Sequence, residues 1–267
     1  LSKPVRIMTY NIHSCFGQDR RSDPGRIAEV ISECKPDIIA LQEVDVSRSR
    51  SGGIDQAAMI AHHLQMTSHF YPALNFEEER YGDAVLTALP ARLRKSGPLP
   101  SSGEQRGALW VEIGCPDATI QLFATHLGLR AGDRQKQISA LLGQEWMGGP
   151  LERGESVVLA GDLNAFGRSR VIKKMSARLR DATIAQGAKP TFPSRLPILR
   201  LDYIFISPDI DCVEACVHNT TLSRVASDHL PVVVSLNLPE NILPRRRFNN
   251  VESMRNPGLA DPDDAPP

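Results

Sequence analysis

The chain is poor in the features that would assign it quickly. Among 267 residues there are five cysteines, Cys15, Cys34, Cys115, Cys212 and Cys216. An odd count with no CxxC pair argues against a disulfide framework or a thiolate zinc site. Aromatic residues make up only 5%, which leaves little material for a platform that stacks single-stranded bases. Neither charge sign dominates, with 31 basic and 31 acidic side chains. No global field therefore draws the molecule to nucleic acid or anionic lipid, and only a local basic patch could do so. No apolar run reaches the length needed to span a bilayer. The beginning, LSKPVRIMTYN, lacks the basic, apolar and small-residue sections of a signal peptide, so the expectation is a cytoplasmic protein. RRM, KH and zinc-finger patterns, HExxH and internal repeats are all missing.

What remains is an ordinary globular composition, 41% apolar and 23% charged, with strand-like and helix-like segments interleaved. VRIMTYN, DIIALQEV, DAVLTAL, ALWVEI, IQLFATHL, SVVLAGD, LDYIFIS and PVVVSL read as strands. Asp23 and Pro24 form an N-cap and first-turn pair ahead of Ile27, Val30, Ile31 and Cys34 on one helical face. Further helices are expected over residues 56–64, 133–146 and 169–179. Runs of strands with occasional helices predict an α+β fold with helices outside packed sheets. From residue 239 the composition turns to Pro, Asn, Arg and Asp with little apolar periodicity. The expected organisation is a catalytic domain over residues 1–238 and a disordered or loosely docked tail over 239–267. The Arg245, Arg246, Arg247 cluster within that tail reads as a solvated stretch.

The strand ends are polar. The segment SVVLAGDLNA stops a buried strand at Asp162 and Asn164, which stand two residues apart and so share one side. Other strands end at Asn11, Glu43 and His126; Asp202 opens LDYIFIS, and Asp228 and His229 precede PVVVSL. Each alone reads equally well as a turn or cap residue. Together they supply hard oxygen ligands suited to Mg2+ or Mn2+, two imidazoles and carboxylates to orient them.

The series TYNIH (9–13), LQEV (41–44), YGDAVL (81–86), RGAL (106–109), THLGL (125–129), GDLNA (161–165), RLDYIFIS (200–207) and SDHLPV (227–232) resembles the endonuclease/exonuclease/phosphatase superfamily, with its deoxyribonuclease-I-like fold. The resemblance implies a four-layer αββα sandwich of two mixed sheets flanked by helices. It implies a Mg2+ or Mn2+ cofactor held by Asn11, Glu43 and Asp228. It further implies catalytic roles for His126, Asp162, Asn164, Asp202 and His229, with Arg106, Asn164 and His229 on the phosphate. Asp162 would position or deprotonate water, Asp202 would orient His229, and His126 would offer a proton to the leaving oxygen. Arg106 reads alternatively as a surface residue before a strand.

Two departures matter. His126 stands where the apurinic-endonuclease branch has tyrosine, which points away from DNA repair. Asp83 stands where family members often have Asn, so a carried-over contact there is doubtful. Glu78 or Glu79 is a candidate carboxylate for His126, or else part of an exposed FEEER loop; His13, His62, His63, His69 and His218 read as structural or surface residues. The expected activity is hydrolysis of a phosphodiester, in a nucleic acid or a lipid headgroup, by a monomer. The alternatives are a phosphomonoesterase of a small molecule and an inactive binding module on the same sandwich.

Overall fold

The computed structural model describes residues 3–116 and 118–239; the tail, with Arg245 to Arg247, lies outside the described residues beyond Pro239. One sheet contains β1 (Val5–Asn11), β2 (Ile38–Val46), β3 (Thr67–Phe76), β4 (Glu79–Thr87), β11 (Asp211–Val217) and β12 (Val232–Asn237). Its order is β11-β12-β1-β2-β4-β3. The second contains β5 (Ala91–Leu99), β6 (Arg106–Gly114), β7 (Thr119–His126), β8 (Ser156–Asp162), β9 (Arg180–Asp181) and β10 (Asp202–Ile206), in the order β5-β6-β7-β8-β10-β9. Each sheet holds one parallel pair near its centre, β1 with β2 and β7 with β8, among antiparallel neighbours.

Strand alternation sorts the apolar residues into layers. Ile7, Ile38, Val85, Leu109, Leu122, Val158, Ile204 and Val234 meet between the sheets. The opposite face of the first sheet, with Met8, Tyr10, Ile39 and Leu41, packs on α1 (Pro24–Cys34) and α2 (Gln56–Leu64) through Ile27, Ile31 and Ile60. The outer face of the second sheet, with Phe123, Leu159, Tyr203 and Phe205, packs on α3 (Ala131–Leu141) and α5 (Arg170–Ser176) through Ile138, Leu141 and Met175. The result is the αββα sandwich of two mixed sheets.

Local chemistry fixes several boundaries. Asp23 accepts from the Arg26 N–H at 3.0 Å and Asp55 from the Ala58 N–H at 2.9 Å, so both helices begin on carboxylate caps. The helix expected over 133–146 is shorter and earlier. It stops at Leu141, after which Gly143 and a π-helical turn over Gln144–Gly148, with Trp146 off helical geometry, lead into α4 (Gly149–Glu152). Four longer elements lacked a readable pattern: β3, β5, β11 and α6 (Thr221–Ala226), the last closed by a capping box between Thr220 and Ser223. FEEER is a tight turn between β3 and β4, and Glu79 pairs with Arg48 and Ser49 rather than with His126.

Candidate active site

The site forms where strand ends of the two sheets meet. In the second sheet His126 is paired across the ladder with Asp162, and Asp162 with Asp202. Cross-strand partners project on the same side, so register alone lines up an imidazole and two carboxylates. From the first sheet comes Asn11, the last residue of β1, fully buried. Its Nδ2 donates to Glu43 Oε1 at 3.0 Å and to Asp162 Oδ2 at 3.1 Å, while its Oδ1 accepts from the His13 N–H at 3.1 Å. One amide therefore ties a carboxylate of each sheet to the other.

Glu43 reaches this position through a distortion. The β2–β4 register shifts between Leu41 and Val44, and Glu43 has φ +60°. Leu41 and Val44 both remain in the helix-facing core, so the extra residue frees Glu43 from the outward side that simple alternation would assign it. A bulge with a left-handed non-glycine residue is a costly way to aim a side chain, and such devices concentrate at functional sites. Asn164 is a second example, with φ +46°. Its N–H donates to Asp162 Oδ1 at 2.8 Å, and its Nδ2 lies 3.0 Å from both the Leu127 carbonyl and His126 Nε2.

His229 is 5% exposed and sits between carboxylates. Its Nδ1 donates to Asp202 Oδ2 at 2.8 Å, and its Nε2 lies 3.7 Å from Asp162 Oδ2. Phe192 covers the ring at 4.9 Å between centroids. Burial by itself disfavours the charged ring, but Asp202, Asp162 and Asp228 outweigh it and raise the pKa to about 10. Ser227 secures the segment by donating from Oγ to the Asn11 carbonyl at 2.8 Å and accepting from the His229 N–H at 3.3 Å.

His126 is equally buried but differently surrounded. Arg106, 5% exposed, approaches Nδ1 with a guanidinium nitrogen at 3.2 Å and pairs with Glu104 at 3.0 Å. Burial, the Arg106 charge and the His229 charge hold this imidazole well below its ordinary pKa. Its contact with Asp162, 3.5 Å from Nε2, is therefore a neutral ring beside a carboxylate and not an ion pair. Arg106 faces Nδ1 and the Asn164 amide nitrogen faces Nε2, two donors that leave no room for a doubly protonated ring. Burial and then the neighbouring Asp202 charge push the Asp162 carboxyl above the usual carboxylate range.

All nine residues expected from sequence line this end of the sandwich. Arg106 is buried against His126 rather than on the surface. Asp228 is less central: it stands 3.9 Å from His13 Nδ1, and among the described residues no hydrogen bond joins it to Glu43. His13 thus borders the site, and Phe192 is a neighbour that no pattern in TFP announced. Asp83 is also buried here, its carboxyl raised to about 7 by burial against the partly opposing charge of Arg106.

Asp162, Asp202 and His229 bring their ligand atoms within 4.8 Å of one another. The imidazole is already committed to Asp202 through a proton, so this trio fits a proton relay better than a hard cation. Glu43 and Asp228, partly exposed oxygen donors, suit Mg2+ or Mn2+. Asn11 Oδ1 accepts one hydrogen bond, from the His13 N–H, and keeps a second lone pair for a cation. Among the described residues the buried Oδ1 of Asp202 has no hydrogen-bond partner, which leaves one acceptor in the site uncommitted.

Two mixed sheets between helices, with Asn, Glu, His and Asp gathered at one end, define a phosphoesterase sandwich. The chain belongs to the Endonuclease/Exonuclease/phosphatase family, which it matches over residues 8–229. Members of that family are hydrolases acting as nucleases, phosphatases or phosphodiesterases, generally with a divalent metal. The chain is similar to YbhP of Escherichia coli, an uncharacterised protein, with 28% identity over 253 residues covering 87% of this chain and 96% of that one. Among solved structures, a Beutenbergia cavernae endonuclease/exonuclease/phosphatase superposes with TM-score 0.73 and 27% identity, covering 89% of this chain and 72% of its own. The Bacteroides thetaiotaomicron mannosyl-6-phosphatase Bt3783 has the same fold, with TM-score 0.69 and 20% identity, covering 88% of this chain and all of its own. Among the described residues no helix is long and apolar enough to cross a membrane.

Proposed function

We propose that the protein is a Mg2+- or Mn2+-dependent phosphodiesterase. The observation that carries this reading is the Asn11 amide, which brings Glu43 and Asp162 together from separate sheets beside two histidines in opposite protonation states. Glu43, with Asn11 and Asp228 beside it, would hold the cation, which would supply Lewis acidity and a lowered pKa for bound water. Asp162, with its raised pKa, accepts a proton from the attacking water near neutral pH. Asn164 and Arg106 donate to nonbridging oxygens. His229, held as imidazolium by Asp202, contacts the phosphate and is the better proton source for the departing alkoxide. His126, kept neutral, stands beside Asp162 and the phosphate. Water adds to phosphorus, one P–O bond to an alcohol breaks, and that alkoxide leaves as the alcohol. A proton source matters most for such a poor leaving group, which favours diesters over monoesters of activated alcohols.

Chelation is expected to abolish turnover of bis(p-nitrophenyl) phosphate and added Mg2+ or Mn2+ to restore it. Glu43→Ala is expected to lose both metal binding, read by calorimetry, and turnover, with an unchanged circular dichroism spectrum. Normal metal-dependent turnover in that variant would overturn the assignment. Comparing mono- and diesters of the same alcohol separates this reading from a phosphomonoesterase, which a strong monoester preference would establish.

A further inference from the structure

The three most exposed large apolar side chains among the described residues are Leu129, Leu196 and Ile198, at 74%, 73% and 70%. Phe166 is 56% exposed. Scattered exposed leucines need no explanation, but these four share one place. Leu129 is three residues beyond His126, and Phe166 two beyond Asn164. Leu196 and Ile198 sit at the tip of the hairpin that leaves Phe192, the ring on His229, and returns through the Phe192–Leu199 bridge. At a few ångströms per residue, all four lie on the rim of the active site.

These loops are anchored so that the apolar tips stay outward. Arg134 donates to the carbonyls of Gly128 and Leu129 at 3.0 and 2.5 Å. The Tyr203 hydroxyl donates to the Ala165 carbonyl at 2.9 Å. The Ile198 and Leu199 N–H groups both donate to the Phe192 carbonyl, at 2.9 and 2.8 Å. Collapse of the tips into the core is thereby prevented.

Each tip also carries a cation. Arg130 follows Leu129, Arg168 follows Phe166 by two residues, and Arg195 precedes Leu196; all three are exposed. Among the described residues none of them is in ion-pair contact with a carboxylate: Arg130 donates to the Ser102 carbonyl and Arg195 to that of Gln18. In a chain whose charges balance overall, three loops thus repeat one unit, an outward apolar side chain beside an exposed guanidinium. Apolar groups that enter the headgroup boundary while adjacent arginines meet lipid phosphates are the chemistry of an anionic membrane surface. Single-stranded nucleic acid would use the arginines, but of the four tips Phe166 alone offers a ring on which a base could stack, while Leu129, Leu196 and Ile198 do not.

We infer that this rim docks on an anionic phospholipid bilayer, and that the phosphodiester presented to the site is a phospholipid headgroup. The second clause rests on the hydrolase reading above; the docking does not.

The test is co-sedimentation of the chelated protein with vesicles of phosphatidylcholine alone and of phosphatidylcholine mixed with phosphatidylglycerol. Binding is expected to the mixed vesicles and to fall with added salt. Leu129→Ser combined with Leu196→Ser and Ile198→Ser should weaken it by about tenfold or more, and so should Arg130→Glu combined with Arg195→Glu. Both variants change exposed side chains, so wild-type melting temperature and wild-type turnover of bis(p-nitrophenyl) phosphate are expected. Equal wild-type sedimentation with both vesicle types, or unaltered binding by the apolar variant, would overturn the inference. It would also be overturned if Phe166→Ala weakened oligothymidylate binding while the wild-type protein ignored the mixed vesicles. Loss of soluble-diester turnover in the metal-loaded wild type, with vesicle binding intact, would remove the hydrolase reading and leave the docking surface standing.

Discussion

His126 and His229 reach toward the same oxygen of Asp162, at 3.5 and 3.7 Å, and both are almost fully buried. Their protonation states are nevertheless opposite. His229 is enclosed by Asp202, Asp162 and Asp228 and stays charged; His126 faces Arg106 and Asn164 and stays neutral. Equal burial penalises both cations alike, so the neighbours decide. The lesson is that the chemical role of a histidine at a strand end is set by the residues beside it in register and across the sandwich. Two environments that separate the pKa values of otherwise similar groups give a site its acid and base.

The comparison is broken most severely by removing the anionic side. Asp202→Asn and His229→Ala are each expected to lower turnover on the order of 10² to 10⁴ fold. The double variant should be little worse than the worse single, because the two act as a unit. The same Asp202→Asn protein should show its alkaline limb of kcat/KM at lower pH by about one to three units, since the carboxylate that favours imidazolium is gone. Losses that multiply in the double variant, or a limb that does not move, would mean that the two residues work separately.

The cationic side should yield a smaller effect. Arg106→Met removes a charge that holds His126 neutral, so the His126 pKa is expected to rise, read from its ring resonances by NMR titration. Turnover should fall by about tenfold to a hundredfold, the worth of a charged hydrogen bond. An unmoved His126 titration would show that burial alone keeps that ring neutral.

The smallest expected effect is on stability. His229 has its pKa raised in the folded protein from 6.5 to about 10. Its contribution is therefore complete below about pH 6.5 and is lost as pH climbs through about 10. The melting temperature of the chelated wild type should drop across that window, and that of His229→Gln should drop less. Parallel curves would refute the linkage.

Much of this was readable in the sequence because the inner strands are regular. Ile7, Met8, Thr9 and Tyr10 alternate between two cores, and the polar ends at Asn11, His126 and Asp162 stand out against such apolar runs. What could not be read falls into two kinds. The edge strand β5, ARLRKSGPL, is mostly exposed and carries no apolar alternation, since one of its sides has no core to face. Contacts across the sandwich, such as Arg106 on His126 or Phe192 on His229, depend on sheet docking and on loop paths that no local spacing encodes. Glu43 was visible as a residue but not as a bulge, because a left-handed glutamate leaves no mark in LQEV.

The hydrogen bond from Asn11 to Asp162 spans 151 positions, and that from Ser227 to Asn11 spans 216. β1 is flanked on one side by β12, with Val5 opposite Leu236. The site is therefore complete only when segments far apart in the chain have met. A nascent chain that has made His126, Asp162 and Asp202 still lacks the segment that carries His229 and clamps Asn11. Contacts this distant in sequence form slowly, so hydrolytic competence arises only once both sheets have closed on each other. Any partial opening that parts the sheets separates Asn11 from Asp162 and His229 from Asp202.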